Sequence, residues 1–172
     1  MAIKNLNEKF LHGIGDIYDA EHQFLEAQQE MLPQANSTTV KTLLEQHIRE
    51  TEQQITVLEQ VFEALGESPE REKCAAAAGI VKENEKTLSE VSGNPALVDL
   101  AISGGSSKVE HYEIANYRML ITGAEQMGHT EIARLLQKNL QQEEATAQKI
   151  ESSAPALFQQ AMAAEGGRSA SA

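Results

Sequence analysis

Glutamates recur midway along rows that helical spacing otherwise fills with apolar side chains. Leu43, His47, Glu50, Gln54, Val57 and Val61 step by three and four residues, the spacing that keeps side chains on one helix face. Beside them Leu44, Ile48, Thr51, Ile55, Leu58, Phe62 and Leu65 make a mostly apolar row, so the polar trio is flanked by core and not by solvent. Upstream, Phe10, Ile14, Ile17, Glu21, Leu25, Gln28 and Leu32 carry Glu21 in mid-row. Downstream, Glu110, Glu113, Tyr117, Leu120, Ala124 and Met127 form a third row, and Leu136, Leu140, Glu143, Ala147 and Ile150 a fourth.

Five carboxylates on core faces cannot all stay ionised without compensation, since each unpaired buried charge costs several kcal/mol or more. His47 is the potential cation among them, and no Lys or Arg stands on these rows near the glutamates. Two divalent ions would supply the missing positive charge. Oxygen-rich coordination with some imidazole suits Fe first and Mn second, ahead of structural zinc. The candidate ligands are therefore Glu21, Glu50, Glu110, Glu113 and Glu143, with His47 either a ligand or a hydrogen-bond partner of one. The competing reading lets one or two glutamates reach solvent while the rest are protonated. Tyr18 and Tyr117 stand one turn from Glu21 and Glu113, where a phenol could hydrogen-bond a ligand or donate an electron; ordinary core packing is the alternative. His22 and His111 follow glutamates directly, lie ~100° round the helix, and suit outer positions.

Punctuation along the chain shows what would position these residues. Pro33 and the polar run that follows end a first helix beginning near Asn5, and Ser37 or Thr38 caps a second that reaches Leu65. Ser68 and Pro69 read as the cap and first residue of a connecting helix to about Val91. Asn94 and Pro95 open a third long helix to Met127, with Gly104 and Gly105 as its weak spot. After Gly128, Thr130 caps a fourth to about Ser152, and Pro155 starts a short tail helix. Glu21 and Glu50 lie at similar depths from the first turn, as do Glu113 and Glu143 from the second, so two antiparallel hairpins bring all the carboxylates to one level. The connector is long enough to run the length of the bundle, which makes it a crossover. Residues 1–164 read as one domain and 165–172 as a flexible tail.

Composition narrows the function classes. A net charge of −12 repels phosphate backbones and anionic lipid, so nucleic acid and membrane are not expected partners. No apolar run is long enough to span a bilayer and no signal-peptide pattern opens the chain, which points to a cytoplasmic protein. The single cysteine, Cys74, in CAAAAG, excludes a disulfide framework and reads as a small packing residue.

Glu21, Glu50, the Glu110-x-x-Glu113 pair and Glu143 resemble the diiron-carboxylate pattern of ferritin-like proteins, the Glu-x-x-Glu pair being similar to that of rubrerythrin. DAEHQ at 19–23, His47-x-x-Glu50-Thr51 with Gln54, and KVEHYEIANY at 108–117 are similar to the YciF/YciE family of bacterial stress proteins, over residues from about 5 to 152. The resemblance implies an all-α, ferritin-like four-helix bundle, a dimetal motif, a stress context and a homodimer, without a substrate. One departure stands out: the histidines of the usual Glu-x-x-His motif are replaced by Gln53 and Thr146. Gln53, Gln54, Tyr18 and Tyr117 are expected around the ligands. The expected chemistry is reaction of Fe or Mn with dioxygen or peroxide; a non-catalytic metal-binding or adaptor bundle is the alternative.

Overall fold

The structure is a computed structural model that describes residues 2–169. Five helices, α1 (Leu6–Met31), α2 (Thr38–Leu65), α3 (Ala75–Val91), α4 (Pro95–Gln126) and α5 (Thr130–Ser169), account for the described regular structure together with a 3-10 turn at Leu32–Gln34. The expected local signals set most of the boundaries. Asn5 Oδ1 accepts from the Glu8 N–H at 2.9 Å and Ser37 Oγ from the Val40 N–H at 3.1 Å, satisfying orphan donors at the starts of α1 and α2. Gly66 at φ 75° and Gly128 at φ 78° take the left-handed conformation that ends α2 and turns the chain into α5.

α1 with α2 and α4 with α5 form the two hairpins, α1 also packs on α4, and α2 on α5. α3 runs along the outside against α1 and α4, as a crossover should. The core is divided in two. A larger part is built around Phe24, Leu58, Phe62, Tyr117 and Leu136, and a smaller one around Met31, Leu44, Leu88 and Ile102. Between them in register stand Gln28, His47, Thr51 and Glu110, a polar layer inside an apolar bundle.

Three boundaries differ from expectation, each for a visible reason. Residues 67–74 are not helical, and α3 begins only at Ala75 with Cys74 as its cap. Asp19 holds this segment: it accepts from Arg71 Nε at 2.7 Å, the Cys74 N–H at 2.8 Å and Gln23 at 2.6 Å. Burial works to raise the Asp19 pKa, but these donors outweigh it and hold the carboxyl below its usual range. The Glu72 N–H donates to the Gly15 carbonyl at 3.1 Å, an approach possible because Gly15 has no Cβ; one would lie 2.8 Å from Glu72 Cγ. At the other end there is no separate tail helix. α5 continues through Pro155, because burial of Leu157 and Ala161 offsets the backbone bond a proline removes. The helix continues to Ser169, so the part of the expected tail that is described is helical; residues 170–172 lie outside the described residues. Gly105, read as a weak spot, lies in an uninterrupted helix, where it lets Asn84 of α3 approach closely.

Candidate metal centre

The glutamates meet in the polar layer. Glu21, Glu110, Glu113 and Glu143 are each fully buried, and His47 is 2% exposed. One ligand atom from each of His47, Glu110, Glu113 and Glu143 lies within 4.8 Å of the others, close to the spread that donors around a single ion would have at bond lengths of ~2.1 Å. His47 Nε2 is 3.0 Å from a Glu110 oxygen. Beyond that contact, no amide, hydroxyl or backbone N–H reaches the oxygens of Glu110, Glu113 and Glu143 or one oxygen of Glu21; these carboxyls meet one another instead, Glu110 with Glu143 and Glu21 with Glu113.

Burial and mutual repulsion set the protonation. Desolvation, followed by the Glu143 charge, pushes Glu21, Glu110 and Glu113 well above the usual carboxylate range. Glu143 is raised to about 7, again mainly by burial. Burial lowers His47 to about 4, with Lys149 adding to the effect, so the ring is uncharged at neutral pH and its contact with Glu110 is a hydrogen bond, not an ion pair. Protonation relieves the repulsion within the cluster, and Glu143, at about 7, titrates near neutral pH. A cation would replace the protons, and these oxygens are the donor set that hard divalent ions and iron favour.

Two groups orient the ligands from above and below. The Gln28 amide nitrogen sits 3.3 and 3.4 Å from the two His47 ring nitrogens and donates to Thr51 Oγ1 at 3.2 Å. On the far side the Tyr117 hydroxyl donates a very short hydrogen bond to Glu21, and Asn139 Nδ2 donates to the Tyr117 oxygen at 2.9 Å and to the Gln54 carbonyl at 3.2 Å. Burial keeps the Tyr117 phenol protonated, its pKa pushed well above the ordinary value. Gln54 is fully buried, with neither side-chain atom partnered.

Other expected site residues stand elsewhere. Glu50 lies at the rim, its side chain 17% exposed, accepting from Thr146 Oγ1 at 2.9 Å and Gln46 at 2.7 Å, with Lys149 Nζ 3.9 Å away. The inward face of α2 runs through His47, Thr51, Gln54 and Leu58, which turns Glu50 toward α5. Gln53 is exposed and hydrogen-bonded to Gln142, so it does not reach the centre. Thr146 does face inward, 3% exposed. The Tyr18 hydroxyl donates to Glu59 at 3.2 Å, and its ring stacks edge-on with Phe62 and His22, away from Glu21. His111 is exposed and lies 3.5 Å from Glu151. Asn139 joins the site from outside the expected set; the signal for it is that Leu136, Asn139, Glu143, Thr146 and Ile150 step by three and four as the other rows do.

Comparison with known proteins places the chain in a family. Residues 5–163 match the model of the family described as Domain of unknown function (DUF892). The chain belongs to that family. It is 33% identical over 151 residues to Protein YciF of Escherichia coli K12, which covers 87% of this chain and 90% of YciF. The crystal structure of the E. coli stress protein YciF superposes with a TM-score of 0.85 at 32% identity, over 91% of this chain and 99% of YciF. YcfI of Rhodopseudomonas palustris gives a TM-score of 0.84 at 40% identity, over 87% of this chain and 94% of YcfI. The DUF892 chain is thus an all-helical, YciF-like protein, and none of its described helices is long and apolar enough to cross a membrane.

Proposed function

We propose that this protein is a cytoplasmic stress protein that binds two iron or manganese ions in the bundle core and lets the bound metal react with peroxide or dioxygen. The observation that carries the reading is the buried His47, Glu110, Glu113 and Glu143 set, whose carboxyl groups, the His47–Glu110 contact apart, meet only other carboxyls. These four would hold one ion; Glu21, with Glu50 turned in from the rim, would complete the second. Fe(II) held there would supply the electrons for a two-electron reduction of peroxide to water, two protons being consumed.

The remaining work belongs to the side chains. Displaced carboxyl protons leave as metal enters, so the glutamates become anions only when a cation is there to meet them. Tyr117, fixed by Asn139, holds Glu21 in one orientation, and Gln28 holds the His47 ring. The apolar layers on both sides keep bulk water out. A donor set dominated by carboxylates would favour the oxidised metal, so that a first oxidation would be fast and a second would need an external reductant. A homodimer is part of the same proposal, resting on the family likeness and on apolar side chains such as Phe158 and Met162, exposed one turn apart on α5.

Rapid mixing of anaerobic Fe(II)-loaded protein with peroxide tests the chemistry. A single oxidation phase that stalls until reductant is added agrees with the proposal, whereas sustained turnover without reductant contradicts it. The engagement of Glu50 by Thr146 and Gln46 favours a second reading, in which the site buffers metal without reacting. Tight binding with no oxidation would select it.

A further inference from the structure

Two small clefts reach the metal layer from opposite sides of α4. One opens between α2, α4 and α5, walled by Val40, Leu44, Ile102 and Ile150, and the other between α1, α3 and α4, walled by Phe24, Met31, Ile80 and Val109. Each has a volume of about 10 Å³, room for one molecule near the size of water. Both end on the same two residues, His47 and Ser106. His47 is itself 3.0 Å from Glu110, so the clefts stop at the edge of the carboxylate cluster.

Ser106 explains why the space exists. It is 6% exposed and occupies a core-facing position between Ile102 and Val109, where a leucine would fill both clefts. The small-residue run 103–107 is thus an opening toward the centre and not a kink.

We propose that these clefts admit dioxygen, a small apolar molecule, to the metal centre; the inference rests on the dimetal reading for its consequence but not for its test. A cleft walled mainly by carbon stays dry and takes an apolar guest. Peroxide would give up hydrogen bonds to water that this mostly apolar lining, with Ser103 and Thr146 in one cleft and Gln28 and Asn84 in the other, replaces only in part, and the polar rim at Glu50 and Lys149 suits it better.

Dissolved dioxygen relaxes nearby methyl protons, so it can be located in the metal-free protein by NMR. The Ile102 and Ile80 methyls should relax several-fold more than those of Leu136, which is fully buried and lines neither cleft. Ser106→Leu should abolish the excess at both. Equal relaxation at all three residues, or an excess that survives Ser106→Leu, overturns the proposal. Should Ser106→Leu not fold, Ala27→Phe with Leu43→Phe narrows the two mouths at half-buried positions and carries the same expectations. In Fe(II)-loaded protein, Ser106→Leu should slow oxidation by dioxygen several-fold and leave iron content and oxidation by peroxide unchanged. Equal slowing with both oxidants would refute the access route. A protein that binds no iron yet keeps the Ile102 and Ile80 signals would sink the metal reading and support the clefts.

Discussion

Removing one carboxylate from the metal-free protein should stabilise it, by an amount that depends on pH. Glu143 titrates at about 7 in the fold against 4.5 as a free side chain. A raised carboxyl contributes stability that is fully present below its unfolded pKa and is lost as pH climbs through the folded one. At about 1.4 kcal/mol per pH unit the loss is about 3 kcal/mol, complete by about pH 8. Glu21, Glu110 and Glu113 act in the same direction. His47 opposes them: lowered from 6.5 to about 4, it favours the fold above 6.5 and loses that contribution as pH falls. Four carboxyls outweigh one imidazole, so the metal-free protein should melt higher near pH 5 than near pH 8. Glu143→Gln should recover about 3 kcal/mol at about pH 8, or ~6–12 °C in a domain of this size, and nothing at about pH 4.5. Thermal unfolding followed by circular dichroism reads both numbers. A flat pH profile for the parent, or a variant less stable at both pH values, would refute the claim that these carboxyls crowd one another without compensation. Loaded with metal, the parent should show the opposite trend, because the ligands must then be ionised.

Asp19→Ala should cost about 2–3 kcal/mol, since it strands Arg71 and the Cys74 N–H and frees the segment before α3; the denaturant midpoint measures it. Gln54→His should change metal affinity while Gln53→His, at an exposed position, leaves it alone. Equal effects in a calorimetric titration would show that the faces of α2 are wrongly assigned. Light scattering at micromolar concentration should give twice the 18.8 kDa chain mass, and a monomer alone would remove the dimer from the proposal.

Much of this was legible in the sequence because helical periodicity and depth from a turn fix where a side chain sits. Glu21, Glu110, Glu113 and Glu143 lie in rows whose neighbours are all core, and the structure buries each of them. Glu50 belongs to a row that drifts: α2 is 28 residues long, and its inward face passes through Thr51 and Gln54, leaving Glu50 at the seam with α5. Local signals also failed where tertiary contacts decide. Ser68 and Pro69 look like a helix start, yet Asp19 ties the segment down and no helix begins until after Cys74. Pro155 looks like a break, yet Leu157 packs into the smaller core and the helix carries on. No spacing rule announces that Tyr18 would turn to Glu59 while Tyr117 turns to Glu21.

The proposed chemistry requires the carboxylate layer to hold metal. Anaerobic equilibrium dialysis against Fe(II) or Mn(II), followed by elemental analysis, tests it most directly with the parent protein and Glu113→Ala side by side. Two ions per chain in the parent and their loss in the variant are the predicted result. Metal retained equally by both, or by neither, would contradict it.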